Sequence, residues 1–290
     1  MNEKDILKKV RALEIKTRGM VNEHFSGEYH SRFKGRGMNF SEVREYSYGD
    51  DIRNIDWNVT ARMKSPYIKV FEEERELVLM LLVDVSGSGV FGSSENLKKE
   101  IATELAAVLA FSAIKNNDKV GLILFSDKIE KFLPPKKGKA HVFRIIRELI
   151  YFKAENTGTN IEQALEFLGR VQKKRCSAFV ISDFMSENYE KGLQIVSSRH
   201  DLVGIDLSDN AEKNLDKLGF IELYDNESGK RGIFDLSSKR NRSIFKANLE
   251  KLNSEKTKLF NRNKVDRVAI DINEAYIKPL MVFFKSRSKR

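Results

Sequence analysis

Residues 77–88 read LVLMLLVDVSGS, and this stretch decides the fold. Its first seven residues, 77–83, are all apolar. A run of this length, bounded by polar residues, is typical of a strand that is buried on both faces of a sheet. The run passes directly into the polar sequence DVSGS, which predicts a loop at the carboxyl end of that strand.

Three further apolar runs repeat the pattern, at residues 120–125, 178–181 and 202–207. Amphipathic stretches that predict helices lie between the runs, at residues 96–115, 141–152, 160–171 and 189–198. This alternation of strands and helices predicts an α/β fold with a doubly wound, Rossmann-like sheet. In such sheets ligands bind in the loops beyond the carboxyl ends of the strands.

The chain beyond residue 207 departs from this alternation. Residues 220–224 and 232–236 flank a polar, turn-forming segment and predict an inserted β-hairpin. After the hairpin the sequence predicts, in order, a long polar helix at 239–262, a strand at 265–270 and a final helix near the C-terminus. Asp271 or Asn273 is expected to supply the N-cap of the final helix.

The first 76 residues form a different kind of segment. They predict a helix near residues 4–21, then a Gly-punctuated segment, then a strand at residues 66–74. We interpret them as an α+β flank that packs on the α/β domain. The sequence therefore predicts two parts, the flank at residues 1–76 and the α/β domain with its basic C-terminal helices at residues 77–290.

Composition bounds the class of protein. A chain of 290 residues with 41% hydrophobic residues can bury a full core. Cys176 is the only cysteine, which excludes an intramolecular disulfide and suits a reducing compartment; its place in an apolar run predicts a small buried side chain. The N-terminus lacks the apolar segment of a signal peptide, and no apolar run approaches the ~20 residues of a membrane span. We expect a cytoplasmic protein without transmembrane segments.

The net charge of +10 is unevenly distributed. From residue 237 onward there are fifteen Lys or Arg and five Asp or Glu, so the first 236 residues are neutral, at thirty-seven against thirty-seven. A basic C-terminus could bind phosphates, or it could be a solvated helix face. We favour the solvated face, because aromatic residues do not interleave with the charges as a stacking platform for nucleic acid requires.

Oxygen-bearing side chains follow the predicted strands. Asp84, Ser86 and Ser88 alternate in the loop after the first apolar run, Thr159 precedes a predicted helix, and Asp183 follows the run at residues 178–181. Loops at the carboxyl edge of one parallel sheet can converge on one ion. Carboxylate and hydroxyl oxygens are hard ligands that suit Mg²⁺ or Mn²⁺. The sequence predicts a divalent metal site at these five residues.

The order of these residues resembles the metal-ion-dependent adhesion site of von Willebrand factor A domains. By position, Asp84, Ser86 and Ser88 match the first loop of that site, Thr159 the second and Asp183 the third. The resemblance implies that serine and threonine coordinate directly, that the aspartates bind directly or through water, and that one octahedral position stays open. A carboxylate from an Asp or Glu of a partner protein would fill that position.

A binding role is expected rather than a catalytic one. Hydrolysis would require a base for a metal-bound water or a second metal, and the motifs HExxH, GxSxG and GxxxxGK[ST] are absent from the sequence. Two alternatives stay open: a metal-dependent hydrolase or nuclease that uses Asp84 and Asp183, and a nucleic-acid binder that uses the basic C-terminus. Lys98 is assigned to the first helix of the α/β domain without a chemical role.

The flank carries a second resemblance. Residues 44–57, REYSYGDDIRNIDW, followed by Ala61 and Arg62, resemble the signature of the bacterial "domain of unknown function 58" family. The resemblance implies a von Willebrand factor A-like domain and association with AAA+ ATPases of the MoxR type, in protein assembly or maturation.

The signature residues themselves predict a charge-paired structural knot. Gly49 suits a turn with positive φ, Asp50 and Asp51 can cap the next turn, and Arg53 has carboxylates nearby for a bidentate pair. Trp57 is expected to be a large buried anchor. A second binding surface remains the alternative for this segment.

Overall fold

The computed structural model describes residues 39–72, 77–87, 98–154, 156–186, 188–209, 219–224, 231–235 and 237–288. These residues fall into two compact units that meet in sequence between Leu77 and Val78. The predicted helix near residues 4–21 and the Gly-punctuated segment after it lie outside the described residues.

The smaller unit is built on an antiparallel strand pair. Strand β1 (Asn39–Glu45) pairs with β2 (Tyr67–Glu72), and a 3-10 turn (Ile52–Asn54) and helix α1 (Trp57–Met63) lie between them in the chain. The strand predicted at residues 66–74 is confirmed as β2. Strand β1 was not predicted, because its charged residues conceal the alternation that marks a strand.

The expectation that Trp57 is a buried anchor is wrong, since its side chain is 70% exposed. Trp57 is the first residue of α1, a helix of seven residues that buries none of them. Asp56 caps that helix by accepting hydrogen bonds from the backbone N–H groups of Asn58 and Val59, at 3.0 and 3.2 Å. The capping carboxylate rather than apolar packing therefore fixes the start of α1.

Six strands form the central sheet of the larger unit: β3 (Val78–Asp84), β4 (Lys119–Phe125), β5 (Ile129–Lys136), β6 (Ser177–Ser182), β7 (Asp201–Ser208) and β10 (Asp266–Asp271). Their spatial order is β10-β7-β6-β3-β4-β5, and every neighbouring pair is parallel except β4 with β5. The predicted α/β fold class is confirmed, and all four apolar runs are strands of this sheet.

Helices follow the strands as the amphipathic stretches predicted. They are α2 (Lys98–Lys115), α3 (Lys139–Tyr151), α4 (Ile161–Val171), α5 (Glu190–Arg199), α6 (Lys239–Arg262) and α7 (Ile277–Ser288). Helix α3 buries Val142, Ile145, Ile146 and Leu149, the i, i+3, i+4, i+7 positions of one face. Helix α2 is buried around most of its circumference, as expected of a helix at the centre of a layer.

One strand of the sheet escaped prediction because of its prolines. Strand β5 contains Pro134 and Pro135, residues that normally argue against a strand. It runs antiparallel at the edge of the sheet, where a missing backbone N–H costs little, and Leu133 is its one fully buried residue.

The insertion after β7 is the predicted hairpin. Strands β8 (Phe220–Tyr224) and β9 (Arg231–Asp235) pair antiparallel, with Phe220 opposite Asp235 and Tyr224 opposite Arg231. The turn between them lies outside the described residues.

The start of the last helix differs from the prediction. Helix α7 begins at Ile277, so neither Asp271 nor Asn273 is its N-cap. The Asp271 Oδ1 atom instead accepts a hydrogen bond from the backbone N–H of Asn273 at 2.9 Å, which closes a turn directly after β10. The polar residues mark a strand end here rather than a helix start. Within the described residues, no helix combines the length and apolar character needed to cross a membrane.

Gly204 lets the long helix α6 dock on the sheet. A Cβ atom at Gly204, in the middle of β7, would lie 2.3 Å from the Phe260 ring. Phe260 is the one buried residue of α6, and its ring makes an edge contact with Phe184 at 5.0 Å between centroids. The absence of a side chain at Gly204 therefore positions the C-terminal end of α6.

Gly204→Ala is expected to lower the free energy of unfolding by about 1–3 kcal/mol, because the added methyl group must displace the packed Phe260 ring. Urea denaturation monitored by circular dichroism measures the change. Gly169→Ala in helix α4 is the matched control, since open space surrounds that position and alanine favours helix. Equal effects of the two substitutions would contradict the packing argument.

Candidate metal centre

The predicted site lies where neighbouring parallel strands end. The register pairs Asp84 of β3 with Phe125 of β4, and Val83 of β3 with Ile181 of β6. The residues that follow Ile181 therefore lie beside Asp84 at the carboxyl edge of the sheet. The alignment of parallel strands brings Asp84 next to Ser182 and Asp183, although Ser182 follows Asp84 by 98 positions in the chain.

Hydroxyl and amide groups surround the Asp84 carboxylate. Its Oδ1 atom accepts a hydrogen bond from the backbone N–H of Ser86 at 2.9 Å, and its Oδ2 atom accepts one from the Ser182 hydroxyl at 2.7 Å. The Ser86 hydroxyl also hydrogen-bonds this carboxylate. The Ser182 hydroxyl in turn accepts from the Phe184 N–H at 3.1 Å. Hydrogen bonds from the loop after β3 and from the end of β6 thus fix the orientation of the Asp84 carboxylate.

Burial raises the pKa of the Asp84 carboxyl group to about 6. Loss of hydration is the largest effect; hydrogen bonds from Ser86 and Ser182 oppose it, and the nearby charge of Asp183 adds to it. Part of the residue remains accessible at the sheet edge even though its carboxyl group is desolvated. A carboxylate held in this way is destabilised until a cation approaches it.

Asp183 is paired with a lysine that the sequence interpretation left without a role. The Nζ atom of Lys98, the first residue of α2, lies 3.2 Å from the Asp183 Oδ2 atom, and both side chains are only 7% exposed. The sequence interpretation of Lys98 did not include this ion pair. Lys98 lies on the same buried helix face as Ile101, Ala102 and Leu105. A lysine on a buried face needs a partner of opposite charge, and this was the sequence signal that could have predicted the ion pair.

Thr159 lies in the second loop of the site. The carbonyl oxygen of Thr157 accepts a hydrogen bond from the Gly87 N–H at 2.8 Å, which joins this loop to the one after β3. The N–H of Asn160 donates to the Ser126 carbonyl oxygen at 2.8 Å, which joins it to the end of β4. Thr159 therefore lies within a loop tied to both neighbours. Ser88 lies outside the described residues.

A second lysine holds the loop of Asp183 from the other side. The Lys256 Nζ atom of α6 donates to the Asp183 carbonyl oxygen at 2.8 Å and lies 3.4 Å from the buried Asp206 carboxylate of β7. The Arg267 guanidinium of β10 also binds Asp206, with Nε 2.9 Å from Oδ2. The hydrogen bond from Lys256 fixes the backbone at Asp183 to helix α6, and the ion pairs with Asp206 hold Lys256 in place.

The donor set suits a hard divalent cation. Asp84 and Asp183 provide carboxylate oxygens, and Ser86 and Ser182 provide hydroxyls at the same sheet edge. Within the described residues no three His, Cys, Asp or Glu side chains come together, so an ion here would depend on hydroxyls as well as carboxylates. That mixture matches the ligand preference of Mg²⁺ and Mn²⁺. Among the residues that the structure describes, the Lys98 ammonium on Asp183 is at odds with an ion.

The signature segment of the flank is charge-paired, as predicted. Gly49 has φ +103°, and Arg44 forms a bidentate pair with Asp50, with both N···O distances 2.8 Å. Arg53 binds Asp51, whose Oδ1 atom also accepts from the Arg53 N–H at 3.0 Å. Hydrogen bonds to Arg44 and Arg53, respectively, lower the pKa of Asp50 and of Asp51.

Comparison with known proteins identifies the family. The family model described as "Protein of unknown function DUF58" matches residues 42–255, which include both the signature segment and the carboxyl edge of the sheet. This chain belongs to the DUF58 family. The family assignment predicted from residues 44–57 is confirmed.

Relatives and solved structures with similarity to this chain were also found. An uncharacterized protein of Mycobacterium tuberculosis is 28% identical over 76% of this DUF58 chain and 70% of its own length. An aerotolerance-related membrane protein from Bacteroides fragilis is 16% identical, over 73% of this chain and 98% of that one, with a TM-score of 0.49. The VWA domain of SpRpn10 is 12% identical, over 72% and 94%, with a TM-score of 0.38. The family assignment rests on the sequence match.

Several basic C-terminal residues of this DUF58 protein bind carboxylates within the larger unit. Lys256 and Arg267 bind Asp206, and the buried Arg287 binds Asp201 at 2.8 Å and also Asp266. The predicted solvated helix face is therefore an incomplete description of the basic C-terminus. Part of its charge compensates carboxylates of the sheet.

Asp84→Asn is expected to stabilise the metal-free protein by about 1–2 kcal/mol at pH 7.5, because it removes a desolvated charge beside Asp183. Since the folded pKa of Asp84 lies above the unfolded value, the carboxyl group favours folding below about pH 4, and this contribution is lost as the pH rises through 6. The stabilisation by Asn should therefore shrink between pH 7.5 and 5. Urea unfolding in EDTA at both pH values measures it.

Asp183→Asn is the matched comparison and should act in the opposite direction. The buried Lys98 ammonium then loses a charged partner, which costs about 3–5 kcal/mol when such a pair is broken on one side. Destabilisation of similar size by both substitutions at pH 7.5 would contradict the different environments assigned to the two carboxylates.

Proposed function

We propose that this DUF58 protein is a metal-dependent protein-interaction module. In this proposal Asp84, Ser86, Ser88, Thr159 and Asp183 hold Mg²⁺ or Mn²⁺, and the Asp or Glu carboxylate of a partner protein completes the coordination. The module acts without catalysis of its own, in the cytoplasm, as an adaptor of a MoxR-type AAA+ ATPase or its client in protein assembly or maturation.

The observation that carries the proposal is the pair of desolvated carboxylates at the carboxyl edge of the sheet. Hydroxyl and amide donors surround Asp84, which forms no ion pair with the described residues, and its pKa is raised to about 6. A protein that places such a group at a ligand-binding edge sacrifices stability for binding. A hard cation is the ligand that relieves both the desolvation and the repulsion from Asp183.

The chain's own residues would orient the site. Ser182 and the Ser86 N–H fix the Asp84 carboxylate, and Lys256 fixes the backbone at Asp183. A bound ion would supply Lewis acidity toward an incoming carboxylate. Because two carboxylates balance two positive charges, the partner's anion would bind to a site without excess negative charge. Affinity would therefore depend on the partner as well as on the ion.

A binding role agrees better with the histidines than hydrolysis does. Among the described residues, His141 is bonded through Nε2 to the Val120 carbonyl oxygen at 2.9 Å, and His200 is buried beside Cys176 at 3.4 Å. Burial lowers the pKa of both imidazoles. Each is engaged away from Asp84, whereas metal-assisted hydrolysis needs a base close to the metal-bound water.

The MoxR-type partner in this proposal is what the resemblance of residues 44–57 to the family signature implies. Tagged protein purified from its native cells in Mg²⁺ is expected to capture an AAA+ ATPase, identified by mass spectrometry. Capture should be lost in EDTA and in Asp84→Ala, because both remove the bridge to the partner's carboxylate. Asp271→Ala is the matched control, since this aspartate ends β10, at the same sheet edge but three strands away. It should retain the ATPase.

Two results would contradict parts of this proposal. Capture of the ATPase that persists in EDTA and in Asp84→Ala would place the interface elsewhere. Phosphodiesterase or ATPase activity that survives repurification and disappears in Asp84→Ala would make the site catalytic. Circular dichroism spectra of the wild type, Asp84→Ala and Asp271→Ala show whether a loss of capture reflects a loss of folding.

A further inference from the structure

Lys98 occupies the position where a cation is needed at this site. Its ammonium lies 3.2 Å from the Asp183 Oδ2 atom, and the residue is 6% exposed. It lines one small cavity together with Asp84, Ser182 and Asp183. A lysine buried to this degree at a carboxylate pair is an internal cation, whatever other contacts it makes.

Burial makes the charge of Lys98 dependent on Asp183. An ammonium is disfavoured in a desolvated site, and the Asp183 carboxylate offsets that cost. Removal of that carboxylate from Lys98 by another cation would therefore favour movement of the flexible lysine side chain.

A divalent ion that coordinated Asp183 directly would compete with the ammonium for the carboxylate. An ion that coordinated Asp183 at about 2.0–2.1 Å would lie within a few ångströms of the Lys98 Nζ atom. The repulsion between charges of +1 and +2 at such a distance in a desolvated site is large compared with thermal energy. Direct coordination of Asp183 by the ion would therefore disfavour the ammonium in its present position.

We propose that Lys98 is a built-in competitor of the divalent ion for Asp183. In the metal-free state the ammonium closes the site, and ion binding requires its displacement. This inference rests on the proposed metal-binding function and adds its regulation: bare ion binds weakly, and the additional carboxylate of a partner shifts the exchange toward the metal-loaded state.

Mn²⁺ titration of the full-length protein, monitored by the electron paramagnetic resonance signal of free Mn²⁺, tests the competition. Lys98→Met removes the charge and keeps the length of the side chain, and it is expected to bind Mn²⁺ about tenfold more tightly, or more, than the wild type. Lys98→Arg keeps the charge and should stay within about threefold of the wild type.

Lys99→Met is the matched control. Lys99 is the next residue of α2, but its Nζ atom donates to the Phe152 carbonyl oxygen at 2.6 Å. The substitution removes the same charge from nearly the same place without freeing Asp183. It should change the Mn²⁺ affinity by no more than about threefold. An equal gain in Mn²⁺ affinity in Lys98→Met and Lys99→Met would mean that only net charge matters. That result would overturn the proposed competition.

A measurement on the wild type keeps the proposal testable if Lys98→Met does not fold. Saturating Mn²⁺ should increase the acetylation of Lys98 by acetic anhydride several-fold, as measured by mass spectrometry, while Lys99 stays unchanged. Unchanged labelling of Lys98 in saturating Mn²⁺ would overturn the displacement.

The outcomes separate the competition from the metal site itself. Mn²⁺ binding that needs Asp84 but is not tightened in Lys98→Met would overturn the competition and leave the metal site intact. No Mn²⁺ binding by the wild type or by Lys98→Met would overturn the metal site and the competition with it. Binding by Lys98→Met alone, lost on adding Asp84→Ala, would support both.

Discussion

The site depends on the parallel pairing of β3 with both β4 and β6. Leu79, Met80, Leu81 and Leu82 of β3 have no exposed surface, so a shift in register would place the wrong side chains in a closed core. Register in turn fixes where each strand ends. Asp84 and Asp183 meet because the hydrophobic pattern of buried strands leaves one alignment, and the polar ends of those strands then share an edge.

The same constraint explains how much the sequence could predict. Runs such as residues 178–181 are long enough and apolar enough to identify a buried strand without knowledge of its neighbours. Strand β5 was not predicted, because only an edge position tolerates Pro134 and Pro135. The prediction for Trp57 was wrong, because a short capped helix leaves its indole exposed. The local hydrophobic pattern predicts burial well for strands at the centre of a sheet and poorly for strands at its edges.

Prediction of the site reached the loops but missed the charge balance within them. The loops that contain Asp84, Thr159 and Asp183 were predicted from the succession of strands and helices along the chain, which the sequence contains. The Lys98–Asp183 pair joins residues 85 positions apart and depends on the angle at which α2 crosses the sheet, which sequence periodicity does not contain. A lysine on a buried helix face nevertheless needs a carboxylate partner. The sequence therefore indicates that an ion pair exists, although it does not identify the partner.

The basic C-terminus has a structural role that alters how a nucleic-acid function should be tested. Asp206 is 2% exposed and is compensated by Lys256 and Arg267, both from the C-terminal segment. Truncation of this segment would leave a buried carboxylate unpaired and would release the contact of Lys256 with Asp183, so lost binding would report a damaged sheet edge. Charge reversal at exposed positions of α6, such as Lys246 and Lys251, would remove any phosphate contacts of this helix without that damage. A salt-dependent affinity that survives such reversals would not arise from this helix.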